Sequence, residues 1–377
     1  MNKKYKVSFP KLGNYYIPIY NLLYNLVDKD NVEIIVPDKM TPEIIKKGAI
    51  NSPDFICTPF KYNMGNFINA LENGANVLIQ AGGGCRYGYY YELQERILKD
   101  LGYDFTFINL LDEKGLDIIE VYNKFKILNN RLNFKDFCYY FLIGFRLINI
   151  LDKFENYMRI NYNLQITPKD FDNIHKRLLE DMKYIKNMKE LNMLYKKYKK
   201  EIYNVKLRRE ENKDIKIGIV GELFTSMEPF ASFNLERILN EYNCIVKRYT
   251  TATYLLFEKG FEQKKVLKAS KKYINYQLGA DGAETVARTL ELIDKGYDGI
   301  IHIKPFGCIP EINAMPILQK IAQDTSIPIM YLTFDEQTTA TGINTRIEAF
   351  YDMIKMKKEK ELEKENNKQK LEVVFSE

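Results

Sequence analysis

In two parts of this chain, short strand-like apolar runs alternate with stretches whose apolar residues have helical spacing. Short strand-like runs lie at 6–10, 32–36, 54–59, 76–80 and 104–108, and again at 215–221, 244–246, 298–303 and 327–332. Stretches with helical spacing separate them, for example at 16–26 and 89–101, and one helix start is marked by Thr41, Pro42 and Glu43. Strands that alternate with helices predict βαβ units and parallel sheets in both parts.

Between these two parts the strand pattern disappears. From 112 to about 209 apolar residues recur at helical spacing, as in Phe141, Phe145, Ile148 and Leu151. After 354 the chain is a run of charges with little apolar face, which predicts a frayed or disordered tail. The predicted fold class is α/β, with parallel-sheet domains at 1–111 and 211–354, a helical linking insertion at 112–210 and a charged tail at 355–377.

Composition excludes several classes of protein. Of the 377 residues, 46% are hydrophobic, which suffices for packed cores, and 56 basic against 50 acidic side chains leave only +6, too mild an excess to favour nucleic-acid binding. The longest apolar run, around 141–143, is interrupted by Arg146 and is too short to span a bilayer. The N-terminus leads straight into a strand-like run without a signal peptide. We therefore expect a cytoplasmic protein with no membrane segment.

Three of the five cysteines share one local context. Cys57, Cys85 and Cys308 each follow a strand-like run, lie beside Gly or Pro, and precede a helix; Cys85 lies in the loop Gly82-Gly83-Gly84-Cys85-Arg86-Tyr87-Gly88. A thiol at a helix N-terminus is favoured as thiolate. Cys138 lies within an apolar helix and Cys244 begins a strand, so both are interpreted as core residues. An odd number of widely spaced cysteines does not predict a disulfide framework.

The carboxyl ends of parallel strands meet in one crevice, so the three thiols are expected to converge there. With only two histidines in the chain, an iron–sulfur cluster suits them better than zinc, and three thiolates would leave one iron of a cubane open. The alternative, that these are ordinary buried cysteines at turns, stays open at this point because the chain has no CxxC run.

Other polar residues are weaker candidates. Arg86 would offset cluster or substrate charge, or be structural, and His302 is interpreted as a packed core residue. Glu311, Glu336 and Arg346 would support the site or transfer protons, or else cap helices and form ion pairs.

Several strings, taken together, resemble the activase-related proteins of the 2-hydroxyacyl-CoA dehydratase and benzoyl-CoA reductase superfamily, including proteins like the 2-hydroxyglutaryl-CoA dehydratase D-component. The resemblance covers about 50–110 and 215–355, while the helical middle is not diagnostic. The residues that carry the resemblance include Phe55-Ile56-Cys57-Thr58-Pro59, Leu71-Glu72-Asn73-Gly74-Ala75, Gly84-Cys85-Arg86-Tyr87-Gly88, Gly296-Tyr297-Asp298-Gly299, Pro305-Phe306-Gly307-Cys308-Ile309-Pro310-Glu311, Phe334-Asp335-Glu336-Gln337 and Thr345-Arg346-Ile347-Glu348.

The resemblance implies two Rossmann-like α/β domains around an oxygen-sensitive [4Fe–4S] cluster held by Cys57, Cys85 and Cys308. It implies anaerobic, low-potential chemistry, in which a separate ATP-hydrolysing activase delivers one electron, a CoA thioester is reduced to a ketyl radical, and water leaves. A relative with a double-cubane cluster reduces small molecules, but this chain lacks the additional cysteines. It also has no GxxxxGK[ST] loop, so it is not expected to be the ATPase itself.

The sequence therefore supports two hypotheses about function. The chain is a dehydratase-like lyase or reductase subunit that acts on an acyl-CoA or a small molecule, or it is a non-catalytic iron–sulfur scaffold or electron carrier. An NAD-type enzyme is disfavoured because no GxGxxG follows the strand at 215–220. The substrate, CoA binding, a homo- or heterodimeric state and the ligand of the fourth iron stay open.

Overall fold

The computed structural model describes residues 4–82, 85–110, 117–276 and 278–374. Two parallel four-stranded sheets organise the chain. The first contains β1 (Tyr5–Ser8), β2 (Val32–Ile34), β3 (Val77–Gln80) and β4 (Thr106–Asn109), in the order β2-β1-β3-β4. The second contains β5 (Lys216–Gly221), β6 (Ile245–Arg248), β7 (Gly299–Pro305) and β8 (Ile329–Phe334), in the order β6-β5-β7-β8. The predicted α/β class with two parallel sheets is confirmed.

Helices accompany both sheets. The first sheet has α1 (Tyr16–Leu26), α2 (Pro42–Ile50), α3 (Thr58–Glu72) and α4 (Tyr90–Asp100). The second has α9 (Leu223–Met227), α10 (Leu235–Glu241), α11 (Lys259–Ser270), α12 (Gly282–Asp294), α13 (Ile309–Thr325) and α14 (Ala340–Val374). After Lys216, strand β5 is apolar because Ile217 and Ile219 face one buried cluster while Val220 faces another.

The stretch between the sheets is helical, as predicted. It contains α5 (Ile118–Phe125), α6 (Phe134–Asn161), α7 (Asp170–Met182) and α8 (Met188–Tyr203), with one isolated β-bridge from Gln165 to Leu207. The buried carboxylate of Asp152 on α6 accepts hydrogen bonds from the hydroxyl of Tyr15 and the backbone N–H of Thr253. Helix α6 therefore joins the parts of the chain that carry the two sheets. The domain boundaries given above stay predictions.

Three local predictions are wrong. Residues 54–57 form a turn instead of a strand, because Pro53 opens the turn and Pro59 occupies the first turn of α3, so Phe55 is 87% exposed. The charged stretch after 354 continues α14 to Val374. Cys138 lies on the exposed side of α6 and is not a core residue, whereas Cys244 is fully buried as predicted.

No helix within the described residues combines the length and the apolar character needed to cross a bilayer.

Candidate functional site

In the second sheet β5 and β7 are parallel neighbours, but the strand after β5 is added on one side of this pair and the strand after β7 on the other side. Such a switch point opens a crevice at the carboxyl ends of the strands, where α/β proteins bind ligands. Glu222 directly follows β5, and Cys308 follows β7 after a turn at Gly307. Gly307 has a φ of 79°, which explains why a glycine stands there.

Each of the three candidate thiols lies at the start of a helix. Cys57 precedes α3, Cys308 precedes α13, and Cys85 precedes the 3₁₀ helix Arg86–Tyr89 that leads into α4. The Cys85 sulfur accepts a hydrogen bond of 3.5 Å from the N–H of Tyr87. Of the three, only Cys308 follows a strand closely, since Cys57 follows a turn and four residues separate Cys85 from the end of β3. Gly83 and Gly84 lie outside the described residues. The shared feature is the helix start, whose partial positive charge favours an anionic sulfur.

The fold brings the turn before Cys308 into contact with Cys57. A Cβ added to Gly307 would lie 3.6 Å from the Cα of Cys57, so the turn before Cys308 contacts the residue from the other sheet. Burial raises the pKa of the Cys57 thiol to about 11 and raises that of Cys308 further, and the carboxylate of Glu222 adds to both shifts. Loss of hydration also raises the pKa of the Cys85 thiol, although the residue as a whole is exposed, and Glu222 again contributes. One carboxylate is thus near enough to influence all three sulfurs.

Glu222 is fixed in place by its own helix. Its carboxylate caps α9, accepting hydrogen bonds from the N–H groups of Phe224 and Thr225 at 2.9 and 2.8 Å and from the Thr225 hydroxyl at 2.8 Å. Burial raises the pKa of Glu222 to about 7, even though these hydrogen bonds act in the opposite direction.

Tyrosine side chains form the wall of the site next to Cys57. The Tyr90 hydroxyl lies 2.6 Å from the Cys57 sulfur, and the Tyr90 ring is buried edge-on against Phe60 with ring centroids 4.9 Å apart. Tyr87 packs against Tyr90, and its hydroxyl is bonded to the amide of Asn63. A hydroxyl held this firmly can donate to a sulfur and stabilise its negative charge.

A group of charged residues lies on the Cys85 side. The Lys259 ammonium contacts Asp281 at 2.7 Å and Glu284 at 3.2 Å. Burial acts to lower the pKa of Lys259, but these two carboxylates more than offset it and hold the pKa above its ordinary value. The charge of Asp281 acts to raise the pKa of Cys85, and the charge of Lys259 acts to lower it.

Behind Cys308 lies a buried polar pair. His302 on β7 and Glu311 on α13 are fully enclosed, with 2.7 Å between the His302 Nε2 and a carboxylate oxygen. The second carboxylate oxygen accepts a hydrogen bond of 3.1 Å from the Thr285 hydroxyl on α12. His302 is therefore buried as predicted, and Glu311 is one half of an internal pair that ties α13 to β7.

The remaining candidates lie elsewhere. Arg86 is exposed beside the site, Glu336 is paired with Lys61 of α3 at 2.6 Å, and the Arg346 guanidinium donates to the carbonyl of Tyr331. Sequence reasoning missed three residues in or beside the site: Glu222, Tyr90 and Lys304, a buried lysine of β7 four residues before Cys308. The available signal was position, because Glu222 directly follows a buried strand and Lys304 is a charge within one.

Within the described residues, no group of three or more His, Cys, Asp or Glu side chains is arranged to hold a metal ion. The arrangement instead offers three separated thiols at helix starts, one shared carboxylate and a tyrosine hydroxyl. Thiols are soft ligands, and in a cubane each binds a different iron, so they need not meet at one point.

Two parallel four-stranded sheets joined by a helical segment define an α/β protein. The chain belongs to the family described as 2-hydroxyglutaryl-CoA dehydratase, D-component, whose model matches residues 112–354, more than half of its length. The match includes the helical segment and Cys308, whereas Cys57 and Cys85 precede it. The chain is thus a dehydratase-like component. No curated protein matched it.

Proposed function

We propose that this protein is a [4Fe–4S] component in which Cys57, Cys85 and Cys308 hold the cluster between the two sheets. The observation that carries the proposal is that three thiols from distant parts of the chain each lie at a helix start and each experience the charge of Glu222. Every thiol precedes a helix, whose first N–H groups favour an anionic ligand. Three soft donors with partial positive charge behind each of them fit an anionic iron–sulfur cluster.

When bound, the cluster would supply one-electron chemistry at low potential together with an iron that has no protein thiolate. The residues of the chain would hold it and restrict water, and Tyr90 would donate to the Cys57 sulfur. We infer that the substrate is an acyl-CoA or another small reducible molecule in the crevice. The alternative, a non-catalytic iron–sulfur scaffold or electron carrier, requires the same three thiols but no substrate at the iron.

We infer further that a separate ATP-dependent activase delivers the electron, in the cytoplasm and under anaerobic conditions. The chain contains no GxxxxGK[ST] loop to drive the reduction itself. Exposed apolar side chains flank two of the thiols: Phe55 near Cys57 is 87% exposed, and Phe306 near Cys308 is 47% exposed. Apolar surface of this kind supports a protein partner that docks beside the site.

Iron and acid-labile sulfide analysis of anaerobically reconstituted protein tests the proposal. We expect about four irons per chain with matching sulfide, the content of one cubane. About one zinc without sulfide would refute a cluster, and about eight irons would indicate the double-cubane relative.

A second experiment separates the enzyme from the electron carrier. EPR spectra of the reduced protein are recorded with a panel of 2-hydroxyacyl-CoA thioesters and small reducible molecules, with and without an activase. A changed spectrum and sustained turnover only with the activase are expected. A spectrum that ignores the whole panel would favour the carrier, and turnover without an activase would contradict the inferred electron supply.

A further inference from the structure

Lys304 is a buried cation at the crevice. It is the second-last residue of β7, only 6% exposed, and stands four residues before Cys308. Side chains alternate along a strand, so Lys304 shares a face with His302. His302 contacts Glu311 of α13, which is bonded to Thr285 of α12, and this face therefore lies beneath the first turns of both helices.

The Lys304 ammonium has no hydrogen bond or ion pair with any residue in the described part of the chain. Glu311 forms no ion pair with Lys304, and its two carboxylate oxygens contact His302 and Thr285 instead. The ammonium nitrogen is not completely buried, so it reaches accessible space. Lys304 is thus enclosed along its stem and open at its charged tip.

An enclosed cation without a partner is costly, which indicates that an anion completes the site. Burial lowers the pKa of Lys304, while an ionised Cys308 and Glu311 act in the opposite direction. Since α13 begins at the residue after Cys308, the positive end of its dipole points to the same place. Two sources of positive charge therefore converge next to one thiol.

We propose that the Lys304 ammonium is the counter-charge of the cluster, facing the edge that Cys308 binds. This inference rests on the proposed function. Adding an electron increases the negative charge in a poorly hydrated crevice, so a fixed cation stabilises the reduced state more than the oxidised state. The charge of Lys304, which interacts favourably with an ionised Cys308, would offset the repulsion from the Glu222 carboxylate. It acts on the cluster through charge and not as a ligand.

The test is an EPR-monitored redox titration of the full-length, anaerobically reconstituted protein. We expect Lys304→Met to reduce the ratio of reduced to oxidised cluster at least tenfold at a given potential, which is a shift of about 59 mV to more negative potential for one electron. Lys304→Arg keeps the charge and should retain most of the wild-type midpoint. The matched control is Lys247→Met, the same change at a half-buried lysine on edge strand β6, which should leave the midpoint unchanged.

The possible results lead to different conclusions. A Lys304→Met protein with a full complement of iron and an unchanged midpoint overturns the inference. The inference is also overturned if the midpoint of the variant is unchanged but its EPR spectrum no longer responds to an acyl-CoA, because Lys304 would then bind substrate. If Lys304→Met does not retain iron, Lys304→Gln is titrated in its place and judged by the same criterion. Wild-type protein without iron and sulfide instead refutes the proposed function.

Discussion

The ion pair between Lys61 and Glu336 gives a quantitative test of how the two sheets are held around the thiols. Lys61 lies on α3, one turn after Cys57, and Glu336 follows β8; their charged atoms are 2.6 Å apart. The Lys61 side chain is 6% exposed and that of Glu336 is 27% exposed. Removing the carboxylate therefore strands an enclosed ammonium, whereas removing the ammonium releases a carboxylate that reaches water.

This asymmetry sets the expected magnitudes. Breaking a buried pair costs about 3–5 kcal/mol, and the partial exposure of Glu336 places Glu336→Gln near 3 kcal/mol. Lys61→Met keeps the apolar stem and should cost about 1 kcal/mol, the value of an ordinary hydrogen bond. The double variant should resemble Lys61→Met, which gives a coupling energy of about 3 kcal/mol in a double-mutant cycle.

Urea unfolding followed by far-UV circular dichroism measures these differences, because the chain has no tryptophan to serve as a fluorescent probe. The matched control is Glu72→Gln in the Lys47–Glu72 pair, where both side chains are 42% exposed and at most about 1 kcal/mol is expected. Equal destabilisation by Glu336→Gln and Glu72→Gln, or a coupling energy near zero, would refute the reasoning.

Three further predictions concern the thiols, the tyrosine wall and the pH dependence of stability. A variant in which a proposed ligand cysteine is replaced by alanine should lose the cluster or hold it much less stably. Variants of the other two cysteines should keep the cluster. Full iron content in all three ligand variants would show the assignment to be wrong. The proposed ligands are Cys57, Cys85 and Cys308, and the other two are Cys138 and Cys244. Tyr90→Phe removes the hydroxyl 2.6 Å from the Cys57 sulfur and should retain iron while shifting the midpoint to more negative potential; a shift in the other direction would contradict a donated hydrogen bond. Hydrogen bonds and the charge of His175 more than offset burial and lower the pKa of Glu155 from 4.5 to about 2, so its stabilisation is fully present above pH 4.5 and is lost as the pH falls towards 2. The difference in unfolding free energy between wild type and Glu155→Gln should shrink by about 2 kcal/mol from pH 6 to pH 3, and a constant difference would show that Glu155 does not carry this dependence.

Local sequence patterns determined most of the fold. Helix α1 begins and ends where apolar spacing predicts, at Tyr16–Leu26. The Thr41 hydroxyl caps α2 by accepting a hydrogen bond from the N–H of Ile44, with Pro42 in the first turn. Both features depend on residues that are close in the chain, so they can be recognised without the tertiary structure.

The same local rules were wrong where a short pattern has more than one solution. Phe55 and Ile56 could be a buried strand or an apolar turn, and only the surrounding structure decides that Phe55 is exposed. Cys138 lies among apolar residues on α6, but its own side faces solvent. Charges after 354 suggested disorder, yet the helix that begins at Ala340 continues through them.

The site depended on both levels. The sequence by itself determined which thiols precede helices, since Gly, Pro and helical spacing mark those positions locally. Only the tertiary structure decided that Glu222 is near all three thiols and that Lys304 has a buried stem with an unpaired charge. Such facts arise from packing between residues more than 80 positions apart, as with Glu222 and Cys308. No periodicity along the chain encodes them, because burial and electrostatic contact are set by which elements of the fold lie side by side.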